Sequence, residues 1–373
     1  MARQVVTIIS PAALRHNVAQ VRKYAPGAKI IAMVKANAYG HGLVNTAKIL
    51  ASAQVEALGV ACIEEAQLLR QQGIVTDIVL MEGCFRAEEL TLVQTQSFTV
   101  VVHHWAQIQA LEAYSGSGES RPFKVWLKIN TGMNRLGFSG SQSLDAYLRL
   151  LNNPKIHFMG CMTHFSQADD PSDLTTQRQC ETFYALVKDF QGARCLANSA
   201  GILAWPAAHA DWVRPGLMLY GVSPFAQKVG RDFDLKPAMT LQSEIIAIRE
   251  LEVGESVGYG ATWRSARPSR IGMVSIGYGD GYPWHAKNGT PVLVNNQRAA
   301  LVGRVSMDML AIDLTDLGPV SVADPVVLWG EGLPVEEIAC SANTVPWELL
   351  CRFAIRTSLT IFPSKKSRQT RKK

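Results

Sequence analysis

The 373-residue sequence lacks several patterns that define whole classes of protein. Its seven cysteines include no CxxC pair and no metal-ligand spacing, so we expect free thiols in a cytoplasmic protein and no metal site. No apolar run approaches the ~18 residues of a membrane-spanning helix, and the N-terminal residues do not resemble a secretory signal peptide. The sequence therefore disfavours a membrane protein and an exported one.

Excess charge is confined to one short segment. The formal net charge is +6, but residues 364–373 contain six basic side chains and no acidic one. The remaining basic side chains equal the 31 acidic ones in number, so the body of the protein is neutral. We expect a disordered basic tail over 364–373 and no nucleic-acid partner.

Short apolar runs alternate with helical patterns between residues 29 and 222. Eight runs are apolar enough to be buried on both faces, and all but the last precede a helix candidate. This repetition predicts an α/β fold, a (β/α)8 barrel of the TIM type. The predicted strands are 29–35, 57–62, 77–82, 97–103, 123–129, 156–163, 193–198 and 212–220. A doubly wound open sheet is the main alternative, but the GxGxxG of its dinucleotide-binding form is absent after the first strand.

The pattern changes after about Phe233. Strand-like segments separated by Gly, Pro, Asn and Asp follow one another, with little helical pattern before VPWELLCRFAI near the end. We therefore predict a barrel domain over 1–232 and a C-terminal, mostly antiparallel β-domain over 233–363.

Catalytic side chains of a βα barrel lie at the C-terminal ends of its strands. No trio of His, Cys or carboxylate ligands occurs at these ends, which disfavours a metal hydrolase, and no carboxylate pair suits a glycosidase. The candidates at the predicted ends are Lys35, Tyr39, Asn130, Arg135, Thr163, His164, Asn198, Ser199, Arg214, Gly216, Leu217 and Tyr220.

One lysine among arginines and hydroxyls suits an anionic cofactor held through an imine. An apolar barrel mouth and nearby arginines are expected to lower the pKa of Lys35, and the neutral amine forms imines. Ser199 and the backbone amides of Gly216 and Leu217 are suited to a phosphate. Pyridoxal phosphate meets these demands. The alternative at this point is that Lys35 is a solvated strand end and that His164 and Arg214 are structural.

Eight motifs in proportionate order carry a resemblance to a known family. They are MVKANAYGHG, LKINTGMNRLGF, MTHFSQAD, ANSAGILAW, WVRPGLMLYGVSP, VGYGATW, IGYGDGYP and GRVSMDML. The sequence resembles the alanine racemase family of pyridoxal-phosphate barrel enzymes over about residues 5–362. The resemblance implies interconversion of L- and D-alanine, which supplies D-alanine for peptidoglycan or serves alanine catabolism.

The resemblance also implies roles for individual residues. Lys35 matches the lysine that holds the cofactor and acts as one base, and Tyr259 matches the second base, supplied by the partner subunit of a homodimer. Arg214 matches the arginine facing the pyridine nitrogen, His164 its supporting neighbour, and Arg135 a contact to the substrate carboxylate. Phosphate contacts are implied for Tyr39, Ser199, Gly216 and Leu217, and substrate contacts from the partner for Met307 and Asp308.

Four positions differ among family members or depart from the family's usual residue. Lys128 matches a lysine that some members carry as a carbamate to orient Arg135. Asn130 replaces the usual aspartate of LKxD, so we expect a weaker network around Arg135 and Lys128. Ile355 stands where some members have a gate tyrosine, and Trp284 stands where arginine is common, so we expect an altered phosphate contact and a less basic substrate corridor.

Three other functions fit parts of the sequence. A racemase of serine or a larger amino acid would use the same cofactor and differ in its pocket loops. A decarboxylase on a related barrel is disfavoured, because VGYG and GRVSMDML match the racemase layout. A single-domain, cofactor-carrying barrel that is not an enzyme is disfavoured, because such a protein has no β-domain and this sequence has one that contains Tyr259.

Overall fold

The computed structural model describes residues 4–116, 121–352 and 358–361. Eight parallel strands form a closed barrel, in which the first and last strands pair through Lys29 beside Trp212. In chain order they are β2 (Lys29–Met33), β3 (Ala57–Val60), β4 (Asp77–Leu80), β5 (Thr99–Val102), β6 (Phe123–Lys128), β7 (Ile156–Met162), β8 (Ala193–Asn198) and β9 (Trp212–Arg214). The predicted barrel is confirmed. Its strands are mostly apolar, which fits the burial of both of their faces along most of their length.

Helices alternate with the strands of the barrel, although the segment Lys35–Tyr39, labelled α2, is a left-handed turn and not a regular helix. They are α1 (Pro11–Tyr24), α2 (Lys35–Tyr39), α3 (Leu43–Ser52), α4 (Ile63–Gln71), α5 (Leu90–Thr95), α6 (Trp105–Ala113), α7 (Ser141–Leu151), α8 (Thr175–Val187) and α9 (Ser199–Ala204). Local chemistry fixes where α1 begins. The Ala13 amide donates to the Ser10 side chain, and Pro11 occupies the first turn, where no amide donor is needed.

The last barrel strand is shorter than predicted. It was expected to run to residue 220, but β9 ends at Arg214 and Leu217–Tyr220 forms a 3-10 turn. Pro215 follows Arg214 and has no amide hydrogen for a strand ladder, which explains the early end. The short strand places the Gly216 backbone at the barrel mouth.

The C-terminal region forms an eight-stranded, mostly antiparallel sheet, as predicted. Its order is β13-β16-β15-β14-β17-β10-β1-β18. The strands are β1 (Val6–Ile9), β10 (Met239–Leu251), β13 (Ser269–Val274), β14 (Pro291–Val294), β15 (Gln297–Val302), β16 (Leu310–Asp313), β17 (Pro325–Trp329) and β18 (Ser358–Ile361), with a separate hairpin of β11 (Ser256–Val257) and β12 (Trp263–Arg264). Two helices also belong here: α10 (Val335–Ser341), which the sequence analysis did not predict, and α11 (Pro346–Cys351), which it did.

The sheet is not continuous in sequence. Strand β1 precedes the whole barrel, yet it pairs antiparallel with β10 and parallel with β18. The domain boundary at residues 232 and 233 stays a prediction, and the predicted tail lies outside the described residues. One hydrophobic core extends from the barrel through Tyr220 and Met239 to Trp329 of the sheet.

Two absences among the described residues bear on function. None of their helices has the length and apolar character needed to cross a membrane. Nor do they contain a group of three or more His, Cys, Asp or Glu side chains that could hold a metal ion.

Candidate active site

The C-terminal ends of the barrel strands surround a cavity of about 620 Å³, a size typical of small-molecule sites. Most of the predicted strand-end residues line it: Lys35, Tyr39, Arg135, His164, Asn198, Ser199, Arg214, Gly216 and Leu217. Asn130 and Thr163 line a much smaller cavity next to it. Tyr220 is buried behind Tyr39, and the two rings stack with centroids 4.8 Å apart.

A left-handed turn directs the chain after Lys35. The four residues from Ala36 to Tyr39 all have φ between 52° and 55°, although none is glycine. Left-handed helical conformation costs roughly 1–2 kcal/mol per residue for L-amino acids. The segment is therefore strained, and neighbouring groups must hold it.

Polar side chains hold this turn from both ends. The Glu65 carboxylate accepts the amide hydrogens of Ala36 and Ala61, at 2.7 Å and 2.9 Å. His41 Nδ1 lies 3.1 Å from the Ala38 carbonyl oxygen and 2.8 Å from that of Tyr39, so this nitrogen must carry the hydrogen. Burial lowers the pKa of His41 to about 4, and the ring is uncharged at neutral pH.

Ser199, Gly216 and Tyr39 form one end of the cavity. The amide hydrogens of Gly216 and Met218 are donated to Ser199 Oγ, at 2.9 Å and 3.3 Å, which leaves the hydroxyl hydrogen for another acceptor. A Cβ atom on Gly216 would lie 2.6 Å from the Tyr39 hydroxyl oxygen. Burial raises the pKa of Tyr39 to about 12, so its hydroxyl keeps its hydrogen.

Arg214 is buried and held by backbone carbonyls. Its guanidinium donates to the carbonyl oxygens of Cys195, Leu196 and Thr163. Another of its contacts is His164 Nδ1, 3.3 Å from Nη2. Burial, together with Arg214 and the other nearby cations, lowers the pKa of His164 well below its usual value. His164 is therefore neutral, and its Nδ1 can accept from Arg214.

Four cationic side chains line the same cavity. They are Lys35, Lys128, Arg135 and Arg214. Burial first, and then the charges of Arg214, Arg135 and Lys35, lower the pKa of Lys128 from 10.5 to about 8. An arrangement of this kind is adapted to an anion, because like charges at close range are otherwise unfavourable.

Asn130 organises the loop that carries Arg135. Its side-chain oxygen accepts the amide hydrogens of Gly132 and Asn134, at 3.1 Å and 3.0 Å. Its side-chain nitrogen donates to Asn134 Oδ1 and Ser139 Oγ, at 3.0 Å and 3.1 Å. The asparagine thus makes four hydrogen bonds within this loop, and the weaker network expected around Arg135 and Lys128 stays a prediction.

The predicted β-domain residues do not line the cavity of their own chain. Tyr259 lies in the turn between β11 and β12 and is 74% exposed, and Met307 is 53% exposed. The loop of Met307 and Asp308 packs on the loop after β13, where the Tyr278 amide donates to the Ser306 carbonyl and the Gly279 amide to that of Met307. The loop of Met307 and Asp308 and the loop after β13 are therefore neighbours on the β-domain.

Comparison with known proteins decides the family. The alanine racemase N-terminal domain model matches residues 9–224, and the C-terminal domain model matches residues 238–361. The chain belongs to the alanine racemase family. It is 48% identical to the alanine racemase of Shewanella amazonensis over 358 residues, which covers 95% of this chain and 98% of that protein.

Solved structures of alanine racemases have the same fold. The biosynthetic alanine racemase of Pseudomonas aeruginosa superposes with a TM-score of 0.92 at 44% identity and covers 97% of this chain and 100% of its own. The alanine racemase of Bartonella henselae, solved with covalently bound pyridoxal phosphate, superposes with a TM-score of 0.85 at 27% identity, with coverage of 97% and 100%.

Several cavity residues of this alanine racemase family member were missed by the sequence analysis. They are Met33, Met81, Glu82, Leu136, Phe165, Ser166, Asp169, Ala200, Pro224 and Trp347. Met81 and Glu82 directly follow β4, so the strand-end rule would have found them. Trp347 comes from α11 of the β-domain, and no local signal in the sequence indicates that contact. Ile355 lies outside the described residues.

Proposed function

We propose that this protein interconverts L-alanine and D-alanine with pyridoxal phosphate, as a homodimer whose active sites are shared between subunits. One observation carries the proposal: Lys35, Arg135, His164, Ser199 and Arg214 converge on a single cavity at the barrel mouth. The relation to a biosynthetic alanine racemase supports a role in supplying D-alanine for peptidoglycan, with alanine catabolism as the other role.

The residues present fit pyridoxal phosphate. At one end of the cavity, Ser199 has a hydroxyl hydrogen to donate, Tyr39 keeps its own, and Gly216 leaves open the space that a Cβ atom would fill. The four lining cations match the negative charge of the phosphate and the ring oxygen. When bound, the cofactor supplies an electron sink that acidifies the α-hydrogen of an amino acid.

Arg214 is proposed to face the pyridine nitrogen. Three backbone carbonyls and the neutral His164 fix its guanidinium, which does not release its protons near neutral pH. Arg214 therefore donates a hydrogen bond without protonating the acceptor. This limits the withdrawal of electrons from the substrate and favours return of a proton over competing reactions.

Two bases are needed because racemisation moves a proton from one face of the α-carbon to the other. Lys35 lies inside the cavity and is proposed to serve one face. The second base is proposed to be the partner subunit's Tyr259. Arg135 is proposed to hold the substrate carboxylate with bidentate hydrogen bonds, supplemented by Met307 and Asp308 of the partner subunit.

The homodimer is supported by exposed apolar side chains on the β-domain. Tyr259, Tyr278, Trp284, Met307 and Met309 are 39% to 74% exposed in the isolated chain. Large exposed apolar groups of this kind mark interaction surfaces. A second copy of the chain would cover them and complete the site. The less basic corridor expected from Trp284 stays a prediction.

The test is incubation of the protein with pyridoxal phosphate and L-alanine in deuterium oxide. D-alanine that carries α-deuterium is the expected product. Deuterium exchange with retention of the L-form would refute the two-base assignment, and no exchange with alanine would refute the substrate.

Shared sites are tested by mixing two inactive variants, Lys35→Ala and Tyr259→Phe. In a mixed dimer, one of the two sites would have both an intact Lys35 and an intact Tyr259, so activity should return. If subunits exchange and no activity appears, the sites are not shared.

A further inference from the structure

We infer that Gln179 is a positioning residue that fixes the loop carrying Arg135 against the loop carrying His164. Gln179 lies on α8, only 2% exposed, and it does not line the cavity. It would therefore act on the reaction through its neighbours. The inference rests on the proposed roles of Arg135 and His164.

The side-chain amide of Gln179 uses all of its hydrogen-bonding capacity. Nε2 donates to Thr131 Oγ1 and to the His164 carbonyl oxygen, both at 3.2 Å. Oε1 accepts from the backbone amide of Ser166 at 3.0 Å and from its hydroxyl at 3.2 Å. A primary amide has two donor hydrogens and two acceptor sites, so all four are paired. The two donated bonds join the loop after β6 to the loop after β7.

The connection continues from these loops to Arg214. Thr131 Oγ1 lies 2.8 Å from Thr163 Oγ1, and the carbonyl oxygen of Thr163 accepts a hydrogen bond from Arg214. His164, whose carbonyl is bound by Gln179, contacts Arg214 through its ring. The Gln179 amide thus binds the loops after two barrel strands directly and is connected to a third strand, β9, through Thr163, His164 and Arg214.

The loop of Arg135 needs such an external anchor. It contains Gly132 and Gly137 at φ of 125° and 116°, and Asn134 at φ of 58°. Glycine restricts the backbone little, so these residues do not by themselves select one loop conformation. Asn130 ties the loop to itself, whereas Gln179 and the contact between Thr131 and Thr163 tie it to the neighbouring strand end. Loss of Gln179 should leave the loop formed but free to shift relative to His164.

The experiment compares Gln179→Met with Gln177→Met in the holoenzyme. Methionine keeps the length of the side chain and removes its hydrogen bonds. Gln177 lies on the exposed face of the same helix, where it donates a hydrogen bond to Glu181, so it is a matched control. For Gln179→Met we expect KM for alanine to rise about tenfold and kcat to fall less than about threefold, because Arg135 would still bind carboxylate but would be misplaced.

Hydrogen exchange measured by mass spectrometry gives a readout that is independent of turnover. Backbone amides in residues 131–139 and 163–167 should exchange faster in Gln179→Met than in the wild type, with other segments unchanged. Thr131→Val breaks the same bond from its other end, so it should reproduce the KM increase even if Gln179→Met folds poorly. The double variant should be less impaired than the sum of the two single variants, because the bond between Gln179 and Thr131 is lost in each of them.

The outcomes separate this inference from the proposed function. Arg135→Lys should itself raise KM; an unchanged KM would show that the role proposed for Arg135 is wrong. If Arg135→Lys raises KM while Gln179→Met matches Gln177→Met in KM and in exchange, then Gln179 has no positioning role. Faster exchange in Gln179→Met without any change in KM would also overturn it.

Discussion

Replacement of Lys128 by methionine should stabilise the cofactor-free protein at neutral pH. Lys128 is buried at the end of β6, and Arg214, Arg135 and Lys35 place like charges around it. Burial and these charges lower the pKa of Lys128 from 10.5 to about 8. Methionine fills a similar volume without a charge, so the substitution removes the unfavourable interaction and keeps most of the packing.

The size of the effect follows from the pKa. A difference of one in pKa corresponds to about 1.4 kcal/mol, so the charged Lys128 costs the folded state roughly 3 kcal/mol at pH 7. Below pH 8 the amine is charged in both the folded and the unfolded protein, and the whole cost applies. Between pH 8 and 10.5 the folded protein loses the proton first, so the wild type gains stability as the pH rises. Above pH 10.5 the amine is neutral in both states, and only the packing difference remains.

The assay is urea unfolding of wild-type and Lys128→Met apoproteins at pH 7 and pH 10, at one protein concentration and in buffer free of carbon dioxide. The control is Lys48→Met, which removes an exposed lysine of α3. We expect a free energy of unfolding about 1–3 kcal/mol higher for Lys128→Met at pH 7, with a smaller difference at pH 10. The electrostatic argument would be refuted if wild type and Lys128→Met were equally stable at pH 7. It would also be refuted if the difference in their free energies of unfolding increased toward pH 10.

Bicarbonate extends the same test to the carbamate implied by the family resemblance. With a pKa of about 8, roughly a tenth of the Lys128 amine is neutral at pH 7, against roughly 0.03% for an ordinary lysine. A carbamate would replace the positive charge by a negative one beside Arg135. Bicarbonate should therefore raise the unfolding midpoint of the wild type and leave Lys128→Met unchanged; an equal effect on both would rule out a carbamate at this residue.

Three further substitutions test the proposed site. Lys35→Ala should abolish covalent attachment of the cofactor, measured by mass after borohydride reduction, and lower turnover roughly 10³-fold or more, whereas Lys48→Ala should do neither. Tyr259→Phe should slow α-deuterium exchange of one alanine enantiomer more than of the other; small and equal losses would remove its role as a base for one face. Gly216→Ala should weaken cofactor binding and cost about 1–3 kcal/mol of stability, because its Cβ would meet the Tyr39 hydroxyl oxygen at 2.6 Å, and adding Tyr39→Phe should recover part of the stability.

Sequence patterns predicted the barrel because its strands are mostly apolar and all but the last precede a helix. The same patterns placed Lys35, Ser199 and Arg214 at one end of the barrel, since parallel strands present their C-terminal ends together. The family resemblance was needed for Tyr259, Met307 and Asp308, whose turns have no periodic pattern that points to a site.

Features that depend on long-range contacts could not be predicted from local patterns. The left-handed turn from Ala36 to Tyr39 contains no glycine and is held by Glu65 and His41, which reach it through side-chain contacts. The role proposed for Gln179 could not be predicted from the helical pattern either, because that pattern does not show which residues a buried glutamine contacts. Helix α10 was missed because it is short and follows a series of strands.

The position of β1 between β10 and β18 has a consequence for biosynthesis. During translation this strand is made before the barrel, but both of its neighbours are made only after the entire barrel. The barrel can therefore form while a strand of the other domain projects from it without a partner, as an open edge that invites wrong pairing. Cleavage of the chain between the barrel and the β-domain would leave β1 on the barrel fragment. The sheet of the β-domain fragment would then lack the strand between β10 and β18. The N-terminal strand thus makes the two domains one folding unit, and full assembly waits for the last strand.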